Sequence, residues 1–269
     1  LPHRSVGRYP PQDEPCVELD SDGPHTDIIE EARRLTTAAQ RDGIALKLMG
    51  GVGIYFHSPT ARKAPLGRAY RDLDFVGLSS RRAEIHSFFA RCGYELDRPF
   101  NTLQGLRRLR FLDSEHHREI DLFLDEFRMC HRLDLRARLN LSEEALAPAD
   151  LLLTKLQIVE LNAKDLTDVA ALLLDHPVGD GDGEMINATY IAALAARDWG
   201  LYRTLQLNID RLQRVLTELP LPADLALSRL HALWQAVHAY PKSSVWRLRA
   251  RIGDRLRWYD LPEEDDPAM

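Results

Sequence analysis

Asp72 and Asp74 stand two positions apart at the head of an apolar run formed by Leu73, Phe75, Val76 and Leu78, and this spacing constrains the fold more than any other feature of the chain. In an extended segment side chains alternate, so both carboxylates face one side while Leu73 and Phe75 face the other. One side must enter a core, and the other carries two negative charges side by side. Like charges so placed repel and resist losing water, and a cation between them relieves the repulsion. A hard Mg²⁺ ion suits carboxylate oxygens and keeps positions open for phosphate, whereas zinc favours nitrogen and sulfur. The plain alternative is a sheet-edge strand whose polar side meets water.

The flanks narrow the choice. Ala45 to Met49 reads as a short buried strand, Gly50-Gly51 as a tight turn, and Val52 to Phe56 as the first turns of a helix. Backbone N–H groups at such a turn can approach a phosphate closely. Downstream, Glu119 to Leu124 places a third carboxylate, Asp121, in an apolar strand that can lie beside the first. Glu119 and Asp125 share its strand face and compete for its role, but Asp121 sits centrally between apolar residues. Three acids on two strands allow two Mg²⁺ sites, with Asp72 and Asp74 serving both ions and Asp121 the catalytic one, where it would help deprotonate an acceptor hydroxyl. The three acids are expected to repel one another when no cation is bound.

Around these motifs the chain divides into two halves. Residues 1–25 are rich in Pro, Asp and Gly and read as a poorly ordered arm. A helix is expected from Asp27 to Asp42 with Thr26 or Asp27 as its N-cap, then a strand over Asp72–Leu78, a helix over Ser80–Cys92 and a short strand over Tyr94–Leu96. Strands over Leu106–Leu112 and Arg118–Leu124 follow, joined by a polar turn, and Phe127–Leu135 adds another. Beyond a boundary near Leu141 to Pro148 nearly every segment reads as helix: 148–161, 164–175, 187–197, 200–219, 222–239 and 242–258. The expected fold class is therefore α+β, a mixed sheet with helices over residues 26–140 followed by an all-helical region over 141–260 and an acidic tail over 261–269.

Within the first helix after that boundary, Lys155 falls inside the arc of Leu151, Leu152, Leu156, Ile158 and Val159 on a helical wheel. An ammonium there either reaches water or meets an anion: a nucleotide phosphate, or a carboxylate such as Asp168. Asp165 and Asp168 lie in the first turn of the next helix, where capping alone accounts for acids; the alternative is that they orient Lys155 or complete a nucleotide pocket.

Composition excludes other classes. No apolar run nears the roughly 20 residues of a membrane helix and no signal pattern opens the chain, so a cytoplasmic protein without a membrane partner is expected. Cys16, Cys92 and Cys130 lie too far apart for a disulfide framework or zinc knuckle, and His57, His116 and His117 lack zinc-ligand spacing. No G-x-S-x-G is present. With a net charge of −6, any polyanion must be met by a local patch. Arg62, Lys63, Arg68 and Arg71 form one candidate, and Arg107, Arg108, Arg110 and Arg118 another, each with a solvated charged face as its plain alternative.

Gly50-Gly51, the helix after it, Asp72-Leu73-Asp74-Phe75 and Asp121 together resemble the Gly-Gly/Ser, DxD and third-Asp pattern of the DNA polymerase beta-like nucleotidyltransferases. Within that superfamily the chain is most similar to the AbiEii and MenT group of bacterial toxins, through Leu151 to Leu156 followed by Lys164-Asp165-Leu166-Thr167-Asp168. The resemblance covers roughly residues 44–175. It implies Mg²⁺-dependent transfer of an NMP from a nucleoside triphosphate, with Asp72, Asp74 and Asp121 as metal ligands and Gly50, Gly51, Lys155 and Asp168 around the nucleotide. It further implies tRNA as acceptor and an antitoxin as protein partner. A small-molecule acceptor, as in antibiotic-modifying enzymes, and a nucleotide- or partner-binding module without turnover are the rival readings. Gly51 departs from the pattern where many members have Ser, and the segment from His57 to Tyr70 is longer than usual, either a mobile loop over the nucleotide or a surface excursion.

Overall fold

The computed structural model describes residues 23–261 apart from 219 and 221. Most of the expected arm, Cys16 and the acidic tail beyond Leu261 lie outside the described residues. Asp27 caps the first helix, α1 (Ile28–Arg41), by accepting hydrogen bonds from the N–H groups of Ile29 and Glu30, and Leu35 and Ala39 turn its apolar stripe inward. Gly43, with φ of 66°, reverses the chain after the helix.

A five-stranded sheet follows, built from β1 (Lys47–Met49), β2 (Leu73–Gly77), β3 (Glu95–Leu96), β4 (Arg108–Asp113) and β5 (Arg118–Leu124) in the spatial order β1-β2-β5-β4-β3. The β2 and β5 strands run parallel, and the other neighbours are antiparallel. Helix α2 (Gly50–His57) leaves β1 directly, and α3 (Arg82–Arg91) and α4 (Arg98–Gln104) flank β3. One face of the sheet packs Leu73, Phe75, Phe111 and Leu122 against Leu35 of α1 and Phe89 of α3. The period-two alternation turns Asp74, Val76 and Asp121 to the opposite face.

The C-terminal half comprises α5 (Pro148–Leu156), α6 (Ala163–Asp175), α7 (Ala188–Ala195), α8 (Trp199–Glu218), α9 (Ala223–Ala239) and α10 (Ser244–Ile252). Its core is continuous with the second face of the sheet, since Met49, Ile54 and Val76 pack in the same cluster as Leu151, Leu172, Ile209 and Leu233.

Several expected elements are corrected. The β2 strand begins at Leu73, so Asp72 precedes it and is exposed. Phe127–Leu135 is a tight hairpin of β6 (Glu126–Arg128) and β7 (Arg132–Asp134), because Arg128 pairs with Arg132 across a three-residue turn. The first helix of the C-terminal half stops at Leu156, since Asn162 and Asp165 build a capping box that starts α6 afresh. The last helix stops at Ile252, where Gly253 takes φ of 61°. Helix α4 was unexpected, although Asp97 caps it and Pro99 occupies its first turn; the parallel pair β8 (Val178–Gly179) and β9 (Ile186–Asn187) is too short to leave a periodic signal.

The long segment between α2 and β2 is fastened to α6. Thr60 donates its backbone N–H and its hydroxyl to Asp175, Leu66 is buried, and Arg68 forms a two-armed ion pair with Asp168 at 2.9 Å. Among the described residues no helix is long and apolar enough to cross a membrane.

Candidate active site

The parallel pairing of β2 with β5 sets Asp74 directly beside Asp121. On the other side of β2, Met49 pairs with Asp74, so the chain turns into α2 at Gly50 right against this carboxylate. Gly50 has φ of 63°, and a Cβ there would lie 2.2 Å from Asp74 Oδ2. No side chain but hydrogen fits between the turn and the aspartate. The chemistry of strand, glycine and acid is thus one unit.

Asp74 opens onto a cavity of about 920 Å³ whose polar lining includes Gly50, Arg108, Thr154, Lys155 and Asp165. Phe123, Phe127, Met129, Ile158 and Val159 give it apolar walls, and Tyr259 and Leu261 reach it from the C-terminal segment. Burial, and then the neighbouring Asp121, push the Asp74 carboxyl up to about 6. Among the described residues it accepts no hydrogen bond, so its charge is offset only through space by Lys155 and Arg108.

Asp121 is differently placed. It is buried, and its two oxygens accept from Arg108 Nη2 and, at 3.1 Å, from Arg110 Nε. The hairpin register explains why: Arg110 pairs across from Asp121, and Arg108 points to the same face two residues away. Phe100 of α4 covers both guanidinium groups, its ring centre 4.1 Å from Arg110 and 5.3 Å from Arg108. The expected repulsion among the acids is therefore concentrated at Asp74, which burial, Asp121 and Asp72 all push up, while Asp121 is compensated by its arginines and Asp72 stands in water. Of the rivals, Glu119 is exposed and Asp125 binds the N–H and hydroxyl of Ser79, so neither replaces Asp121.

Lys155 meets carboxylates. Its Nζ lies 2.9 Å from Asp165 and 3.0 Å from Asp168. Burial alone would lower its pKa, but Asp168 and Asp165 outweigh it and raise the value. Asp168 also holds Arg68, whose guanidinium lies over the Tyr70 ring at 4.4 Å. A Cβ on Gly51 would fall 2.2 Å from Arg68 Nη2 and 2.8 Å from Tyr70 Cε1. A side chain at this position would therefore have to displace Arg68 or Tyr70.

The sequence reading thus named the strand acids, the glycine turn and Lys155, but it offered Arg108, Arg110 and Arg68 only as members of basic patches and missed both the arginine pairing with Asp121 and the Arg68–Asp168 pair. The first of these was legible: a hairpin with Asp113 opposite Arg118 forces Arg110 opposite Asp121. The second joins residues a hundred positions apart and left no local mark.

No group of three or more His, Cys, Asp or Glu side chains poised to hold a metal occurs among the described residues. The donor chemistry fits a hard cation in a narrower way. An unpaired, partly desolvated carboxylate beside a second one suits Mg²⁺, which is commonly held by one or two carboxylates plus substrate phosphates. Asp74 meets that description directly, Asp121 only if it leaves its arginines, and Asp72 from outside the cavity. No protein-family model and no curated protein matches the chain.

Proposed function

We propose that this protein is a Mg²⁺-dependent nucleotidyltransferase that moves an NMP from a nucleoside triphosphate to an acceptor hydroxyl. The observation that carries this reading is the side-by-side placement of Asp74 and Asp121 on parallel strands, with Asp74 lining a cavity at a glycine turn. Mg²⁺, when bound, would offset the charge of the triphosphate and polarise the α-phosphorus. Asp74 would hold it together with phosphate oxygens; Asp72 and Asp121 are the further carboxylates within the motif.

In this reaction the acceptor oxygen bonds to the α-phosphorus, the bond to the bridging oxygen breaks, and pyrophosphate leaves. The hydroxyl proton passes to a carboxylate, for which Asp121 is proposed. Arg108 lines the cavity and holds Asp121 Oδ2, so an entering triphosphate competes for its guanidinium and frees that oxygen, while Arg110 keeps Oδ1. Gly50 and Gly51 offer backbone N–H groups to phosphate. Lys155 and Asp168 act around the nucleotide by fixing α5 against α6 and Arg68 against the turn.

The resemblance to the AbiEii and MenT group makes tRNA the proposed acceptor in the cytoplasm, with an antitoxin as protein partner. Incubating the protein with Mg²⁺, each labelled nucleotide and total RNA tests this, with Asp74→Asn as control. Label entering RNA only with the wild type is the expected result. Label entering a small hydroxyl compound instead would favour the antibiotic-type reading, and nucleotide binding without transfer to any acceptor would mark a binding module.

A further inference from the structure

Between Lys242 and Asp260 this acidic chain reverses its character, with Arg247, Arg249, Arg251, Arg255 and Arg257 against only two acids, Asp254 and Asp260. Both acids are taken by arginines from elsewhere, Asp254 by Arg203 and Asp260 by Arg128, each at 2.8 Å. Arg249 is turned inward, donating to the carbonyls of Gly253 and Leu256 and lying over Trp199. Arg247, Arg251, Arg255 and Arg257 are exposed and form no ion pair among the described residues. Interleaved with them are Val245, Leu248, Ile252 and Leu256, all exposed, with Val245 72% open to solvent. On α10, Val245, Leu248 and Ile252 share one face at helical spacing, with Arg251 at its edge beside Leu248.

A hollow of about 570 Å³ lies along this surface, lined by Trp199, Tyr202, Arg203, Arg251, Ile252 and Arg255. The segment then continues through Trp258, whose indole N–H bonds Thr204, to Tyr259 and Leu261 in the lining of the active-site cavity.

We infer that α10 and the segment to Leu261 form the docking track for the acceptor, a single-stranded RNA end whose terminal hydroxyl is delivered to the cavity; this extends the nucleotidyltransferase reading. Four guanidinium groups without an ion pair among the described residues call for an anion, and the aliphatic side chains between them call for apolar faces. A single strand offers both, phosphates on its backbone and unstacked base faces, whereas a duplex hides its bases. A second copy of the chain would set arginines against arginines. Continuity with the cavity mouth distinguishes RNA from an acidic protein helix or an anionic membrane, neither of which needs to end there.

The test is fluorescence anisotropy with a labelled single-stranded RNA of about 12 nucleotides, full-length protein and increasing salt. Four phosphate contacts at a slope of about −0.7 each predict roughly a 50-fold loss of affinity between 50 and 200 mM salt. The exposed-site variant Arg247→Ala/Arg251→Ala/Arg255→Ala/Arg257→Ala should lose most of the binding and the salt slope while keeping the wild-type melting temperature. Leu248→Ser/Ile252→Ser should weaken single-strand binding without changing that slope. RNA binding of this kind without nucleotide transfer supports the track and removes the catalytic reading. Absence of RNA binding at low salt, or binding unchanged in the arginine variant, overturns it. So does preference for phosphatidylserine vesicles or for a synthetic acidic amphipathic helix over the RNA.

Discussion

At the scale of the residue, three charged groups within one site have opposite energetic signs. Asp74 keeps its proton to about pH 6 in the folded chain, above its ordinary value, because of burial and Asp121. The folded state therefore binds more protons than the unfolded one between about pH 4 and pH 6, and stability falls as pH rises through that window. At up to about 1.4 kcal/mol per unit, the destabilisation above pH 6 approaches about 3 kcal/mol. Asp74→Asn should abolish Mg²⁺-dependent incorporation, match the wild type in thermal unfolding below pH 4, and melt no lower, or higher, at pH 8. A variant less stable than wild type at pH 8 would show that Asp74 is a structural acid. Asp121→Asn is expected to act oppositely, lowering metal-free stability by about 1–3 kcal/mol, because Arg108 and Arg110 lose a charged acceptor in a buried setting. Chemical denaturation with chelator present measures it, and an unchanged midpoint would mean that the arginines find water as easily. Lys155→Ala leaves Asp165 and Asp168 facing each other with only Arg68 to compensate, so a loss of about 3 kcal/mol is expected. An unaltered melting temperature with weakened nucleotide binding would instead assign Lys155 to phosphate.

At the scale of the element, the site is a consequence of how one strand enters one helix. The β1 strand pairs with β2 so that Met49 meets Asp74, and the chain must leave the sheet at once. Only a residue without Cβ can do so at positive φ against that carboxylate. Gly50→Ala is expected to cost about 1–3 kcal/mol in backbone strain and displacement of Asp74, with nucleotide transfer falling further than stability does. Melting curves together with kcat/KM at a temperature where the variant is fully folded separate the two effects; a variant with wild-type kcat/KM would show that the turn does not position Asp74. The fastening of residues 59–70 onto α6 through Thr60 and Arg68 likewise makes this stretch part of the wall behind Gly51, where a swinging loop had been one expectation.

At the scale of the whole molecule, the cavity is bounded by the sheet on one side and by α5 and the C-terminal segment on the other. Met49, Ile54 and Val76 share a core with the helices from Leu151 to Leu233, so the two halves have little apolar surface to separate along. Thermal unfolding is expected to be one transition with coincident far- and near-ultraviolet circular dichroism. Two resolved transitions would mean that the halves fold independently. Mg²⁺ with the preferred nucleotide should raise stability by about 2.7 kcal/mol at a hundredfold excess over Kd, and this increment should shrink in Asp74→Asn.

What the sequence determined by itself was whatever local periodicity and turn chemistry encode: the strand that turns Asp74 and Phe75 to opposite sides, the glycines that end β1, the helices of the C-terminal half and the lysine set among leucines in α5. Even the placing of Arg110 opposite Asp121, with Arg108 two residues along the same face, was implicit in the Asp113–Arg118 hairpin, because antiparallel register follows from a short turn. Tertiary structure alone decided which charges meet. Asp72 fell outside the strand and into water, Asp121 was neutralised by its neighbours while Asp74 was not, and Arg68 crossed to Asp168 on α6. The physical reason is that an ionised side chain gains little from its own segment and much from whichever opposite charge the fold brings within a few ångströms in a partly dry place. Periodicity along a chain carries no record of that encounter.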